Sequence, residues 1–250
     1  MDNYQLIFDV WEGQLEINEA ELLAGGITGL VIRLNDMYGG HHKDTGFDKQ
    51  WSEASSFVRW PYFVYNPWVS GEQNYGWLAA NMPTNCPAVA VDVEVRKDDL
   101  PPATYGAQVA AFLKLAQTKW KVHIYTAEWF INYVTPWPKM DYWWAQYPAA
   151  MYPVNKINVS WTQLRTMISQ LNWPPANANK CPGTIRLWQC SGDRLITPGN
   201  DRPMDINLFP GTVSDLRTWL GYAPVVQPPK TLEERVAALE AEARTHGWNI

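Results

Sequence analysis

Short apolar runs alternate with stretches of helical spacing from residue 5 to residue 220. The runs fall at 5–10, 29–34, 60–65, 87–95, 121–126, 142–147, 185–190 and 205–209. They are rich in β-branched and aromatic residues and bounded by Gly, Pro or Asn, so each reads as a buried strand. Helical stretches separate them at 18–23 (closed by Gly25-Gly26), 48–58, 72–80, 104–118, 160 to about 171, and 212–220. In 104–118 the apolar face is Ala107, Ala110, Ala111, Leu113 and Leu115, and Ser160-Trp161-Thr162-Gln163 has the form of a capping box. Eight strands interleaved with helices predict an α/β fold, an irregular (β/α)8-type barrel over 1–222. It is irregular because some connections are poor in helix. In such barrels the active site lies at the C-terminal ends of the strands.

Beyond the barrel the pattern changes. Residues 223–230 are Pro-rich and read as a linker. Thr231-Leu232-Glu233-Glu234 then opens a helical stretch over 231–250, with Leu232, Val236, Leu239 and Ala243 on one stripe. This is a coiled-coil-like seam, too short to be stable alone in water. Residues 231–246 are therefore read as a self-association helix, making a homo-oligomer, or as a helix that docks onto a particle. The competing reading folds it back on the barrel. No internal repeat is visible.

Composition narrows the class. Hydrophobic residues at 46% and charged residues at 18% allow a sizeable core, and a net charge of −5 argues against nucleic acid as the partner. The excess of fifteen Trp and twelve Tyr suits both a core and a sugar-binding cleft, because pyranose rings stack on flat apolar faces. Three cysteines form neither a disulfide framework nor a zinc spacing. His41 and His42 lack a third ligand nearby, so they read as a solvated loop, and no metal or other cofactor is called. No basic and apolar leader opens the sequence, and no run reaches membrane-spanning length. The chain reads as made in a cytoplasm without a signal peptide and without membrane insertion.

The candidate chemistry centres on Ala90-Val91-Asp92-Val93-Glu94. Residues i and i+2 of a strand share a face, with Cα atoms roughly 6.5 Å apart. Two acids there repel and lose solvation, so one should hold a proton while its neighbour stays ionised. Glycoside cleavage uses that division of labour. The bland alternative is a strand end whose acids pair with Arg or Lys. Other strand ends carry Asp9, Tyr65, Asn66, Tyr125, Trp144, Gln146, Gln189 and Asp205, which makes the bland reading harder to hold.

In the same order along the chain stand Phe8-Asp9-Val10, Gly29 to Arg33, Asp92-Val93-Glu94, Ile124-Tyr125-Thr126, Trp144-Ala145-Gln146-Tyr147, Trp188-Gln189 and Asp205-Ile206-Asn207. Together they resemble the glycoside hydrolase family 25 lysozymes, which are N-acetylmuramidases and include phage lysins. Two stretches depart from the family: Val10-Trp11-Glu12-Gly13-Gln14, where a Ser-His-Trp-Gln-like run is common, and Tyr65-Asn66-Pro67, where Tyr-His-Phe is common. The resemblance implies a peptidoglycan glycan strand as substrate, cut at the β-1,4 bond from N-acetylmuramic acid to N-acetylglucosamine with retention. Glu94 would be the general acid, and Asp92 would orient the 2-acetamido group that attacks. Asp9 and Asp205 would complete an acidic rim, and Tyr65, Tyr125, Trp144, Gln146 and Gln189 would contact sugar. Action at the bacterial cell wall would follow lysis or delivery by a virion or injection particle. A family 18 chitinase ranks lower, because its motif would need acids at Pro87 and Ala90. A reading of a different class is a non-catalytic glycan-binding or structural subunit of a phage or injection particle.

Overall fold

The computed structural model describes residues 4–14, 18–36 and 40–223. Eight strands close a barrel: β1 (Tyr4–Val10), β2 (Ile27–Arg33), β3 (Val58–Val64), β4 (Ala88–Asp92), β5 (Lys121–Ala127), β6 (Asp141–Ala145), β7 (Thr184–Ile196) and β8 (Met204–Pro210). They pair in chain order, and β8 returns to β1. Neighbours from β1 to β7 are parallel, whereas β8 runs antiparallel to both β7 and β1. The expected (β/α)8-type barrel is thus present, and its main irregularity is a reversed last strand. Residues 197–203 explain the reversal, since a parallel crossover needs a dozen or more residues.

The helices are α1 (Glu19–Ala24), α2 (Phe47–Glu53), α3 (Gly71–Asn81), α4 (Pro102–Ala116), α5 (Trp161–Ser169) and α6 (Val213–Leu220). Ser160 and Gln163 cap α5 reciprocally. The helix expected over 48–58 stops at Glu53, and β3 begins at Val58. The strand expected over 185–190 runs on to Ile196, through register shifts after Gln189, and its far end pairs with Ile157–Asn158. After β5 comes a 3-10 segment, Glu128–Tyr133. Apart from Ala223, the linker expected over 223–230 and the helix expected over 231–250 lie outside the described residues.

Alternation along each strand sorts its side chains between two layers. Phe8, Leu30, Ile32, Phe63, Val89, Val91 and Ile124 point outward and pack under the helices, against residues such as Leu22, Leu78, Val109, Phe112 and Leu164. Gly71 brings α3 against α4: a Cβ there would lie 2.4 Å from the Gln108 carbonyl oxygen. Ile7, Val31, Val58, Trp60, Trp143, Leu187 and Phe209 fill the barrel, with Ala88 and Ala90 leaving room for the indoles. Leu216 and Leu220 of α6 join this inner cluster. Trp219 stacks on Phe209 and donates to Asp141 Oδ2 at 2.8 Å. The base of the barrel is therefore sealed with apolar side chains, and its other end is polar.

Candidate active site

β4 carries the acids. Val91 and Val93 point to the helix layer, so Asp92 and Glu94 point inward. Glu94 lies past the end of β4, yet its backbone is fixed. The Val93 amide donates to the Tyr125 carbonyl at 2.9 Å, and Thr126 Oγ1 donates to the Val93 carbonyl at 2.9 Å. Asp92 Oδ1 is buried and accepts no hydrogen bond.

Asp9 and Asp205 meet across the β1–β8 seam, where they face each other in register. Because β8 is reversed, Asp205 stands near the start of its strand, at the same end of the barrel as the C-terminal ends of the others. Asp9 accepts from Asn207 Nδ2 at 2.7 Å and from Gln189 Nε2 at 3.1 and 3.3 Å. Asn207 is held by Trp143 Nε1 at 2.6 Å. The Gln189 side-chain oxygen Oε1 accepts from Tyr125 OH at 2.7 Å and Tyr147 OH at 2.6 Å. Asp205 accepts from the Asp193 amide at 2.8 Å, and its protonated form donates to Asp9.

Four acids share this end of the barrel with one nearby cation, Arg33. Burial pushes Asp9 up to about 6, restrained by its bonds from Asn207 and Gln189. Burial and the charge of Asp9 push Glu94 up to about 7. Asp92 rises well above the carboxylate range through burial and the charges of Glu94 and Asp9, against the pull of Arg33. Burial and Asp9 raise Asp205 likewise. Burial thus raises both members of the Asp92/Glu94 pair. Asp9 alone of the four accepts from two side-chain amides, and those bonds favour its ionised form.

A cleft of about 1090 Å³ opens over the cluster. Of the residues singled out in the sequence, Glu94, Asp205, Tyr125, Gln146 and Gln189 line it. Tyr65 and Trp144 do not, and both are fully buried. Tyr65 stacks on Tyr105 of α4, and Trp144 donates to Asn177 Oδ1 at 2.8 Å from the outer layer. Both have the wrong parity: Tyr62 and Trp143 are the inward residues of their segments. Sequence reasoning passed over Tyr62, Tyr147, Asn207 and the exposed Trp129 of the cleft wall. Parity would have found Tyr147 and Asn207, two positions from Ala145 and Asp205; nothing in the sequence signals Trp129.

The histidine loop is less solvated than expected. His42 is exposed, but His41 stacks on Trp77 and bonds Asn35 and Asn74, each at 3.0 Å. Among the described residues no group of three or more His, Cys, Asp or Glu is arranged to hold a metal, and no helix is long and apolar enough to cross a membrane.

No family model matches the sequence, and no curated protein matches it. Solved structures do match in fold. A bacterial lysozyme from Streptomyces coelicolor superposes with a TM-score of 0.66 at 19% identity, over 88% of this chain and 98% of that one. A family 25 lysozyme from Aspergillus fumigatus gives 0.65 at 16%, over 87% and 99%. A family 25 glycosyl hydrolase from Bacillus anthracis gives 0.62 at 17%, over 88% and 95%. The barrel is thus similar to the fold of family 25 lysozymes across nearly the whole of theirs.

Proposed function

We propose that this protein is a peptidoglycan hydrolase, a muramidase that cleaves the β-1,4 bond between N-acetylmuramic acid and N-acetylglucosamine. One observation carries the reading: Glu94 stands in the wall of an open cleft, and its burial, with the charge of Asp9, pushes it up to about 7. A general acid needs its proton near neutrality. The fold likeness to lysozymes and to the catalytic domain of a Listeria phage endolysin supports the choice of substrate, although fold alone does not carry function.

In this mechanism Glu94 protonates the leaving glycosidic oxygen. The 2-acetamido oxygen of the sugar attacks the anomeric carbon from the opposite face. Asp92, with an oxygen free of hydrogen bonds, accepts the acetamido N–H as a carboxylate, and the developing positive charge beside it stabilises that form. Glu94, now a carboxylate, takes a proton from water as that water opens the intermediate, so configuration is retained. Tyr125, Tyr147 and Gln146 contact sugar along the cleft. The reaction takes place at the bacterial wall, reached after lysis or on a particle, with residues 231–246 serving for docking or self-association.

Purified protein should clear a suspension of bacterial walls and create new reducing ends on N-acetylmuramic acid. New reducing ends on N-acetylglucosamine, or release from chitin oligomers in place of walls, would refute the bond assignment. Wall binding with no new reducing ends would favour the non-catalytic subunit.

A further inference from the structure

The two phenols on Gln189 fix its amide in one orientation. Tyr125 and Tyr147 both donate to Oε1, so the amide nitrogen must face Asp9, which takes both N–H contacts at 3.1 and 3.3 Å. Rotating the amide would set its oxygen against a carboxylate. We propose that Gln189 is a positioning residue that keeps Asp9 the ionised member of the acid cluster and thereby keeps the proton on Glu94. This rests on the muramidase reading for its consequence in catalysis, but not for the proton placement itself.

The surroundings of Asp9 leave this role to few groups. Asp205 faces it from β8, Asp92 and Glu94 from β4, Tyr62 from β3, Tyr125 from β5 and Tyr147 from the segment after β6. Arg33 of β2 acts on Asp92. Among the described residues every other titratable group facing Asp9 is an acid or a phenol, so none of them supplies a positive charge. Asn207 and Gln189 are the side-chain amides that donate to Asp9, and Asn207 is also committed to Trp143 and to the Ile7 carbonyl. With Gln189 gone, Asp9 retains its proton to higher pH. Its charge then no longer opposes ionisation of Glu94, which loses its proton at lower pH.

The test is the carboxyl carbon of Glu94, followed by NMR across pH in the full chain and assigned by comparison with Glu94→Gln. Gln189→Met, of similar volume, should lower the Glu94 midpoint by roughly one pH unit. The alkaline limb of kcat/KM on walls should move by the same amount. Tyr147→Phe keeps the ring, frees one side of the Gln189 oxygen and should shift the midpoint the same way by less. It carries the test if Gln189→Met loses its near-ultraviolet circular dichroism. Asp9→Asn should shift the midpoint alone, and adding Gln189→Met to it should add nothing. An unchanged Glu94 midpoint in the folded variants, an additive double variant, or an equal loss of kcat/KM at every pH would overturn the inference. A shifted midpoint in a protein that never cleaves walls would uphold the proton placement and refute the muramidase reading.

Discussion

Two sets of charged side chains sit near the mouth of this barrel, and they treat burial in opposite ways. In one, Arg33 lies 2.6 Å from Asp44 and 3.2 Å from Glu12, with the Trp11 ring over its guanidinium. Asp44 also accepts the amides of Gly46 and Glu12, at 2.8 and 3.1 Å. Glu12 is held below its usual range by bonds from Thr45 and by Arg33. In the other set four acids crowd together with two amide donors on Asp9 and, among the described residues, no direct ion pair. The first ties the chain after β1 to the turn before α2. The second keeps protons in place at neutral pH. Partner chemistry, not depth, separates a structural carboxylate from one suited to catalysis.

The sharpest way to test this contrast is Glu94→Gln. Losing the proton donor should cut wall hydrolysis about 10²–10⁴-fold while the fold survives; turnover near that of the unaltered protein would remove Glu94 from the mechanism. On the paired side, Arg33→Met should lower stability by about 3–5 kcal/mol in denaturant unfolding, because it strands Asp44 as a buried lone charge. A loss under about 1 kcal/mol would erase the distinction.

The pH dependence separates the sets next. Asp9, Asp92, Glu94 and Asp205 all have folded-state pKa values above their unfolded ones. The folded chain therefore binds more protons than the unfolded chain, and stability from this cluster falls as pH rises. It is full below about pH 4 and drains as pH passes the values of about 6 for Asp9 and about 7 for Glu94. Asp92→Asn should flatten that decline and raise Tm at pH 7.5 by a few degrees. A Tm that rises between pH 5 and 8 would contradict the raised values. The smallest effect belongs to the exposed Lys43–Asp48 pair at 2.6 Å. Asp48→Asn should change stability by less than about 1 kcal/mol in denaturant unfolding.

Much of this was legible in the sequence, and the misses share a cause. Strand order and the Asp92/Glu94 face follow from local alternation, which residues i and i+2 record directly. Tyr65 and Trp144 failed because a run such as 142–147 is apolar on both faces: Trp143 and Trp144 look alike in sequence, and only the position of the helices says which indole faces the lumen. The reversal of β8 was not readable: the runs at 185–190 and 205–209 leave room for a crossover, and only the extension of β7 to Ile196 shortens the connection to 197–203. Nor were the bonds that set Asp9 apart, because Gln189 and Asn207 lie 180 and 198 positions from it. No local pattern reports such separations.

The seam between β1 and β8 has a consequence in time. It joins the first barrel strand to the last, and the Asn207–Asp9 bond spans 198 positions. A growing chain holds Asp9 well before the partners that bond it, which arrive only with β7 and β8. Long-range closures of this kind form late, since their loop entropy must be met before their contacts exist. Until the ring shuts, Asp9 lacks its bonds from Gln189 and Asn207. Completion of the barrel and assembly of the acid cluster are one event.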